Sequence, residues 1–241
     1  MNIVRLESVG STNDYIREHA DELASPCAVV SDYQTAGRGQ GSNTWHSEAG
    51  KNLTFSIFLK TKGVKATRQF VFSKAIALAV ADALDEYAEG ISVKWPNDIY
   101  WNDSKISGTL IECAVAGDKL RHLVIGTGVN INEEAFPAEL PNPVSLRQIV
   151  GHEVDRDEVL GKILENLEGY AAIIEDHGDD FIGDYYGMRL YRGFGMHRFK
   201  DADGELEAEI ADVEADGHLV LRLADGTERR YGFKEVEFLL S

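Results

Sequence analysis

The chain has little that would hold it in a membrane, stitch it with disulfides or spread it along a nucleic acid. Among its 241 residues no stretch stays apolar for the ~20 residues that a membrane span requires. The opening MNIVRLESVGSTND brings Glu and Asp early and has no apolar run, so no secretory signal is expected and the expected compartment is the cytoplasm. Two cysteines occur, Cys27 and Cys113, each in an apolar strand-like stretch, which suits reduced, buried thiols better than a bridge. Seven histidines are scattered with no pair at helical ligand spacing, so no built-in metal site is expected. Proline is scarce as well, and three of the five cluster between 133 and 145, a segment that reads as a mobile connection.

Positive charge is the largest deficit. A net charge of −17 opposes sequence-independent binding to DNA or RNA, which rests on cationic contacts to many phosphates. The deficit is uneven: residues 33–97 carry eight Lys and Arg against five acids, a balance of +3 that leaves −20 for the remainder. One less acidic region on an acidic protein suits a small anionic ligand. Most of these lysines are explained as solvating groups; Arg38 and Lys94 are the two set apart.

Hydrophobic periodicity supplies the framework. NIVRL reads as a strand, and STNDYIREHADEL as a helix capped by Ser11 or Thr12 with Ile16, Ala20 and Leu23 on one face. CAVVSDY is a second strand, and NLTFSIFLK, with Leu53, Phe55, Ile57 and Leu59 alternating, a third. Residues 66–89 have helical spacing, ISVKWP ends a strand at a proline turn, and 107–132 read as two strands joined at Gly117-Asp118. A further helix is expected from Asp155, with Glu158 placed for a capping box. Beyond about 187 short strands alternate with three Asp-Gly turns, the pattern of a small antiparallel barrel. The expected fold is therefore an α/β (α+β) mixed-sheet domain over 1–187 followed by a barrel over 188–241.

Four polar signals interrupt this framework: Ser11-Thr12-Asn13, the loop QTAGRGQGSNTW after the second strand, Lys94-Trp95-Pro96-Asn97-Asp98, and Ser104-Lys105-Ile106-Ser107-Gly108. Each has an ordinary explanation taken singly. Ser11 is a good helix cap, Gly37 to Gly41 match neither GxxxxGK[ST] nor GxGxxG, Pro-Asn-Asp is a turn sequence, and Trp45 would serve in any core.

In this order, however, STN, QTAGRGQGSNTW, KWPND, SKISGTLIE and GTGVNIN resemble the catalytic domain of biotin protein ligases, closely over residues 5–132 and weakly beyond. The resemblance implies a short form without the family's N-terminal winged-helix DNA-binding region and with a C-terminal SH3-like barrel. It implies that ATP, brought with Mg2+ as co-substrate, converts biotin to biotinyl-5′-AMP, and that a lysine of a biotin carboxyl carrier domain then displaces AMP. It is compatible with a homodimer. By this resemblance Lys105 and Arg38 are the catalytic cations. Ser11, Thr12, Asn13, Gln34, Gly37, Arg38, Gly39, Gln40, Trp45 and Lys105 contact biotin, and Lys94, Asn97, Asp98 and Asn130 the nucleotide or its magnesium.

Glycines at 37, 39 and 41 would let backbone N–H groups wrap an anion. With an unpaired arginine and no large apolar anchor from Gly37 to Asn43, the loop is expected to be a lid that orders on its ligand. The chain departs from the commoner GRGRxGRxW at Gln40 and Asn43, which removes two cations and weakens the expected hold on the adenylate. Lipoate-protein ligases share the fold and are the alternative. An octanoyl transferase would need a reactive cysteine, and a non-enzymatic biotin-sensing repressor is opposed by the acidic charge.

Overall fold

Alternation along the strands decides which helix each face meets. In strand β2 (Cys27–Gln34), Ala28 and Val30 point into a core shared with helix α2 (Gln69–Asp85), whereas Cys27 and Val29 meet Ile16 of helix α1 (Thr12–His19) on the other face. Strand β3 (Leu53–Lys60) repeats the division: Leu53, Phe55 and Ile57 join the α2 side and Phe58 the α1 side. A sheet covered on both faces needs such near-continuous apolar runs.

The computed structural model describes residues 1–239. Strand β1 (Asn2–Val9) pairs with β2 in parallel, and every other pairing of the main sheet is antiparallel. Strands β4 (Ile91–Lys94), β5 (Asp98–Trp101), β6 (Ser104–Ala116) and β7 (Lys119–Val129) complete the order β1-β2-β3-β7-β6-β5-β4. Helix α2 is apolar nearly all round and is buried accordingly, between the sheet and helices α4 (Arg156–His177) and α5 (Asp180–Met188). Asp155 caps α4 as expected, accepting from the N–H groups of Asp157 and Glu158, but Glu158 reaches outward to the Tyr87 hydroxyl at 2.9 Å, so only half of the expected box forms. A complete capping box, Ser145 with Gln148, instead heads the short helix α3 (Leu146–Val150).

After α5, strands β8 (His197–Asp201), β9 (Gly204–Val213), β10 (Leu219–Leu223), β11 (Glu228–Tyr231) and β12 (Glu237–Phe238) form an antiparallel sheet in the order β11-β10-β9-β8-β12. All three Asp-Gly turns fall where expected, with Gly204, Gly217 and Gly226 at positive φ. The sheet is open, β11 and β12 being its two edges among the described residues, where a small SH3-like barrel was expected. It rests on the first sheet's helical side: Trp95 Nε1 donates to the Gly217 carbonyl and Lys74 Nζ to that of Val213, each at 2.9 Å. No helix among the described residues is long and apolar enough to cross a membrane.

Candidate active site

Helix α1 opens at Ser11, whose extended backbone is that of an N-cap but whose side chain makes no cap hydrogen bond. Gln34, at the end of β2, does that work: its Oε1 accepts from the Thr12 N–H at 2.7 Å and from Thr12 Oγ1 at 3.0 Å. Ser56 Oγ lies 2.6 Å from both Thr12 Oγ1 and Asn13 Oδ1, and has one proton for the two. Asn13 Nδ2 donates to Glu112 Oε2 at 2.8 Å. Ser11, Thr12, Asn13 and Ser56 are buried, Gln34 and Glu112 half-buried, and among the described residues the Ser11 hydroxyl makes no hydrogen bond of its own. Helix and sheet approach so closely here that a Cβ on Gly126 would fall 2.2 Å from Asn13 Oδ1.

Ser11, Thr12, Asn13, Gln34 and Gly126 form one wall of a cavity of about 600 Å³, within the range of small-molecule sites. A second wall comes from the loop between β2 and β3. The loop closes on itself through an Arg38–Thr44 bridge, with Trp45 N donating to Gly37 O at 3.0 Å and Gly39 N to Asn43 O at 2.8 Å. Gly37 is therefore needed for this closure, since its Cβ would sit 2.6 Å from the Trp45 carbonyl oxygen, and it does not line the cavity. The Gly39 amide is spent within the loop, contrary to the expected anion-wrapping role.

Nor is Arg38 unpaired. Its guanidinium reaches Asp14 at 2.8 Å and Glu112 at 3.0 Å. The hydrogen bond to Glu112 raises its pKa further, against a smaller opposing effect of burial, with both carboxylate charges adding to the rise. Trp45 anchors the far end of the loop, its indole lying against bare backbone at Gly108 and Gly128.

Lys105 owes its direction to an irregularity. Ile99 faces Ser107 but Tyr100 faces Lys105, so two residues of β6 stand against one of β5. Residues 105 and 108 would otherwise point to opposite faces. The bulge brings them together, with Lys105 Nζ 3.1 Å from where a Gly108 Cβ would be. Lys105 Nζ donates to Asp98 Oδ2 at 2.6 Å. Its backbone is gripped on the other side by Asn142 O at 2.7 Å and Val144 N at 2.9 Å. The segment read as a mobile connection thus runs beside β6, and Phe136, Leu140 and Pro141 form part of the cavity wall.

Of the other nucleotide candidates, Asn97, Asp98 and Asn130 line the cavity, Asn130 donating to Val144 O at 3.1 Å. Lys94 lies outside the lining. Its ammonium bonds the Tyr100 hydroxyl at 3.0 Å and sits over the rings of Tyr100 and Phe238, toward the C-terminal sheet. Gln40 and Asn43, the two departures from the commoner loop pattern, line the cavity, and so do Ser42 and His46, which sequence reasoning passed over. It also passed over Asp14, Ser56 and Glu112, whose parts depend on contacts between elements far apart in the chain.

Cys113 is outside the cavity lining, and burial pushes its thiol pKa up. That is the reverse of nucleophile activation. Among the described residues one group has metal-ligand proximity, Glu214, Asp216 and His218 on the C-terminal sheet. Both acids there already hold Arg230, at 2.5 and 2.6 Å.

The model of the biotin/lipoate A/B protein ligase family matches residues 6–130, and the chain belongs to that family. It is 33% identical over 226 residues to the bifunctional ligase/repressor BirA of Bacillus subtilis, covering 88% of this chain and 68% of that protein. To the biotin–(acetyl-CoA-carboxylase) ligase of Paracoccus denitrificans it is 30% identical over 225 residues, 90% of this chain and 92% of the relative. The structure of biotin protein ligase from Aquifex aeolicus in complex with biotin and ATP resembles it with a TM-score of 0.83 at 26% identity, covering 100% of this chain and 99% of that one.

Proposed function

We propose that this chain is a biotin protein ligase, which activates biotin with ATP to biotinyl-5′-AMP and transfers it to a lysine of a biotin carboxyl carrier domain. The observation that carries the reading is the meeting in one cavity of the Ser11-Thr12-Gln34 cluster, the Trp45 indole and the Lys105–Asp98 pair. A ureido ring offers N–H donors and a carbonyl acceptor, which suit the free Ser11 hydroxyl and the Thr12–Gln34 pair. Trp45 supplies apolar surface for the thiophane ring and valeryl chain, with the backbone of the Phe55 strand beside it.

In the first step a carboxylate oxygen of biotin attacks the α-phosphorus of ATP. The bond from that phosphorus to the bridging oxygen breaks, and its electron pair leaves on pyrophosphate. Two anions must approach each other, which is costly in a water-poor site unless fixed cations neutralise them. Lys105 serves that end from within the cavity. Arg38 joins it by exchanging one of its two carboxylate partners for the ligand. Asn97, Asp98 and Asn130 offer the oxygen donors that Mg2+ accepts alongside phosphates; the bound ion would neutralise phosphate charge. In the second step the acceptor amine attacks the acyl carbon, AMP departs with the electrons of the carbon–oxygen bond, and the amine proton passes to solvent.

The boundary we adopt, 1–187 for the catalytic unit and 188–241 for a barrel-like appendix, follows the change from long elements to Asp-Gly hairpins; residues 240 and 241 lie outside the described residues. Dependence on ATP fits a cytoplasmic setting, and the charge of −17 opposes a DNA-binding role. Purified protein is to be given MgATP, an isolated biotin carboxyl carrier domain and either biotin or lipoate. A mass increase of the carrier with biotin alone supports the reading; modification by lipoate alone refutes it.

A further inference from the structure

Lys234 stands in the turn between β11 and β12 of the C-terminal sheet, yet its ammonium reaches the glycine loop. Its Nζ is 2.9 Å from the position that a Cβ on Gly41 would take. Gln40 and Ser42, on either side of Gly41, both line the cavity, so this charge sits at the cavity rim. The lysine adopts φ 69°, a left-handed conformation that side chains other than glycine seldom take. Strain of this kind persists where the surroundings enforce it, and it clusters at functional positions.

Several contacts enforce it here. The Gly232 N–H donates to Glu235 Oε2 at 2.6 Å, closing the turn. Phe233 packs its ring against Trp95 at 5.4 Å and Phe70 at 5.9 Å, tying the turn to the strand end that leads into Asn97 and Asp98. Among the described residues Lys234 makes no ion pair or hydrogen bond. The other cations near the cavity are engaged: Arg38 with Asp14 and Glu112, Lys105 with Asp98, Lys94 with Tyr100. From Gly39 to Trp45 the loop itself has no Lys or Arg.

We infer that Lys234 is a nucleotide-binding residue, which supplies from the C-terminal sheet the positive charge that the glycine loop lacks and offers it to the polyphosphate of ATP. The inference rests on the ligase reading for the identity of the nucleotide. It gives the C-terminal sheet a part in the first half-reaction, since a cation that holds the β- and γ-phosphates also steadies the departing pyrophosphate. It also accounts for a lysine at a position where glycine would be free of strain.

Calorimetric titration of MgATP into the whole 241-residue chain tests this directly, comparing wild type with Lys234→Gly, Lys234→Glu and Lys234→Arg. Loss of an exposed charged contact to phosphate should raise the dissociation constant about fivefold for Lys234→Gly and further for Lys234→Glu, with Lys234→Arg near wild type. Biotin affinity should stay within about twofold in all three, and Lys234→Gly should melt at or above the wild-type temperature because its strain is relieved. ATP affinity unchanged in both Lys234→Gly and Lys234→Glu overturns the inference. So does an equal weakening of biotin and ATP, which would mark Lys234 as a prop for the loop alone. The ligase reading fails separately, as a wild type that binds ATP but performs no biotin-dependent pyrophosphate exchange; a wild type that binds no ATP overturns both.

Discussion

A β-carbon on Gly128 would stand 2.2 Å from Cε2 of Trp45. Strand β7 therefore presents bare backbone to the cavity, and the indole at the end of the glycine loop fills the room. Gly128→Ala should force the indole outward, at a cost of about 1–3 kcal/mol for overpacking. If Trp45 walls the biotin site, calorimetry should show biotin affinity falling by about tenfold, while unchanged affinity would separate the indole from that site.

Arg38 lies between Asp14 and Glu112, and it is the only Lys or Arg between Arg17 and Lys51. Trypsin thus has one site in the whole glycine loop, held by an ion-pair network and the Arg38–Thr44 bridge. Glu112→Gln should loosen it and speed cleavage after Arg38 by about twofold to fivefold, the scale of a partly exposed ion pair. Biotin with a non-hydrolysable ATP analogue should slow the cut in both proteins. Identical rates in all four digests would contradict a loop that moves with ligand.

Gln40 lines the cavity where an arginine would place a charged donor. Gln40→Arg should slow dissociation of biotinyl-5′-AMP by about fivefold, since a charged hydrogen bond to phosphate exceeds a neutral one by roughly 1 kcal/mol. Stopped-flow displacement of the adenylate measures this, and an equal or faster off-rate rejects the idea.

Much of this site was legible because its parts are short polar interruptions in strongly periodic elements. STN, the glycine loop, Asn97-Asp98 and Lys105 could be marked as a group, and most of them line one cavity. What the sequence concealed depends on register and on long-range pairing. The bulge that turns Lys105 toward Gly108 exists only in the match of β5 with β6. Asp14 and Glu112 look like ordinary surface acids until the fold sets them beside Arg38. The proline-bearing segment 133–145 has no periodicity to read, and its order comes from the Lys105 backbone that it borders. The turn of Lys94 away from the cavity lining, onto Tyr100 and Phe238, is not legible either, because a motif does not say which way a strand-end side chain points.

His122 offers a pH test of packing apart from the site. Its ring meets Phe58 edge-on, with centroids 5.4 Å apart. Burial first, then the charges of Arg121 and Lys60, lower its pKa below the ordinary 6.5. Protonation therefore favours the unfolded chain, whose histidine takes up the proton first. The stability tied to neutral His122 is complete above pH 6.5 and is lost as pH falls through the depressed folded value. Between pH 7.5 and about 5.5 the melting temperature should drop more in wild type than in His122→Phe. Parallel curves would show that the ring titrates without penalty.

The central claim is that Lys105, aimed by a β-bulge and held 2.6 Å from Asp98, neutralises the meeting of a carboxylate with an α-phosphate. Biotin-dependent exchange of labelled pyrophosphate into ATP, measured for wild type and Lys105→Ala with the folded state of each checked by circular dichroism, tests it most directly. Wild type should exchange with biotin and not with lipoate, and the variant should be slower by about 10² or more, the scale for losing one preorganised charge in the transition state. Near-normal exchange in folded Lys105→Ala would contradict the account.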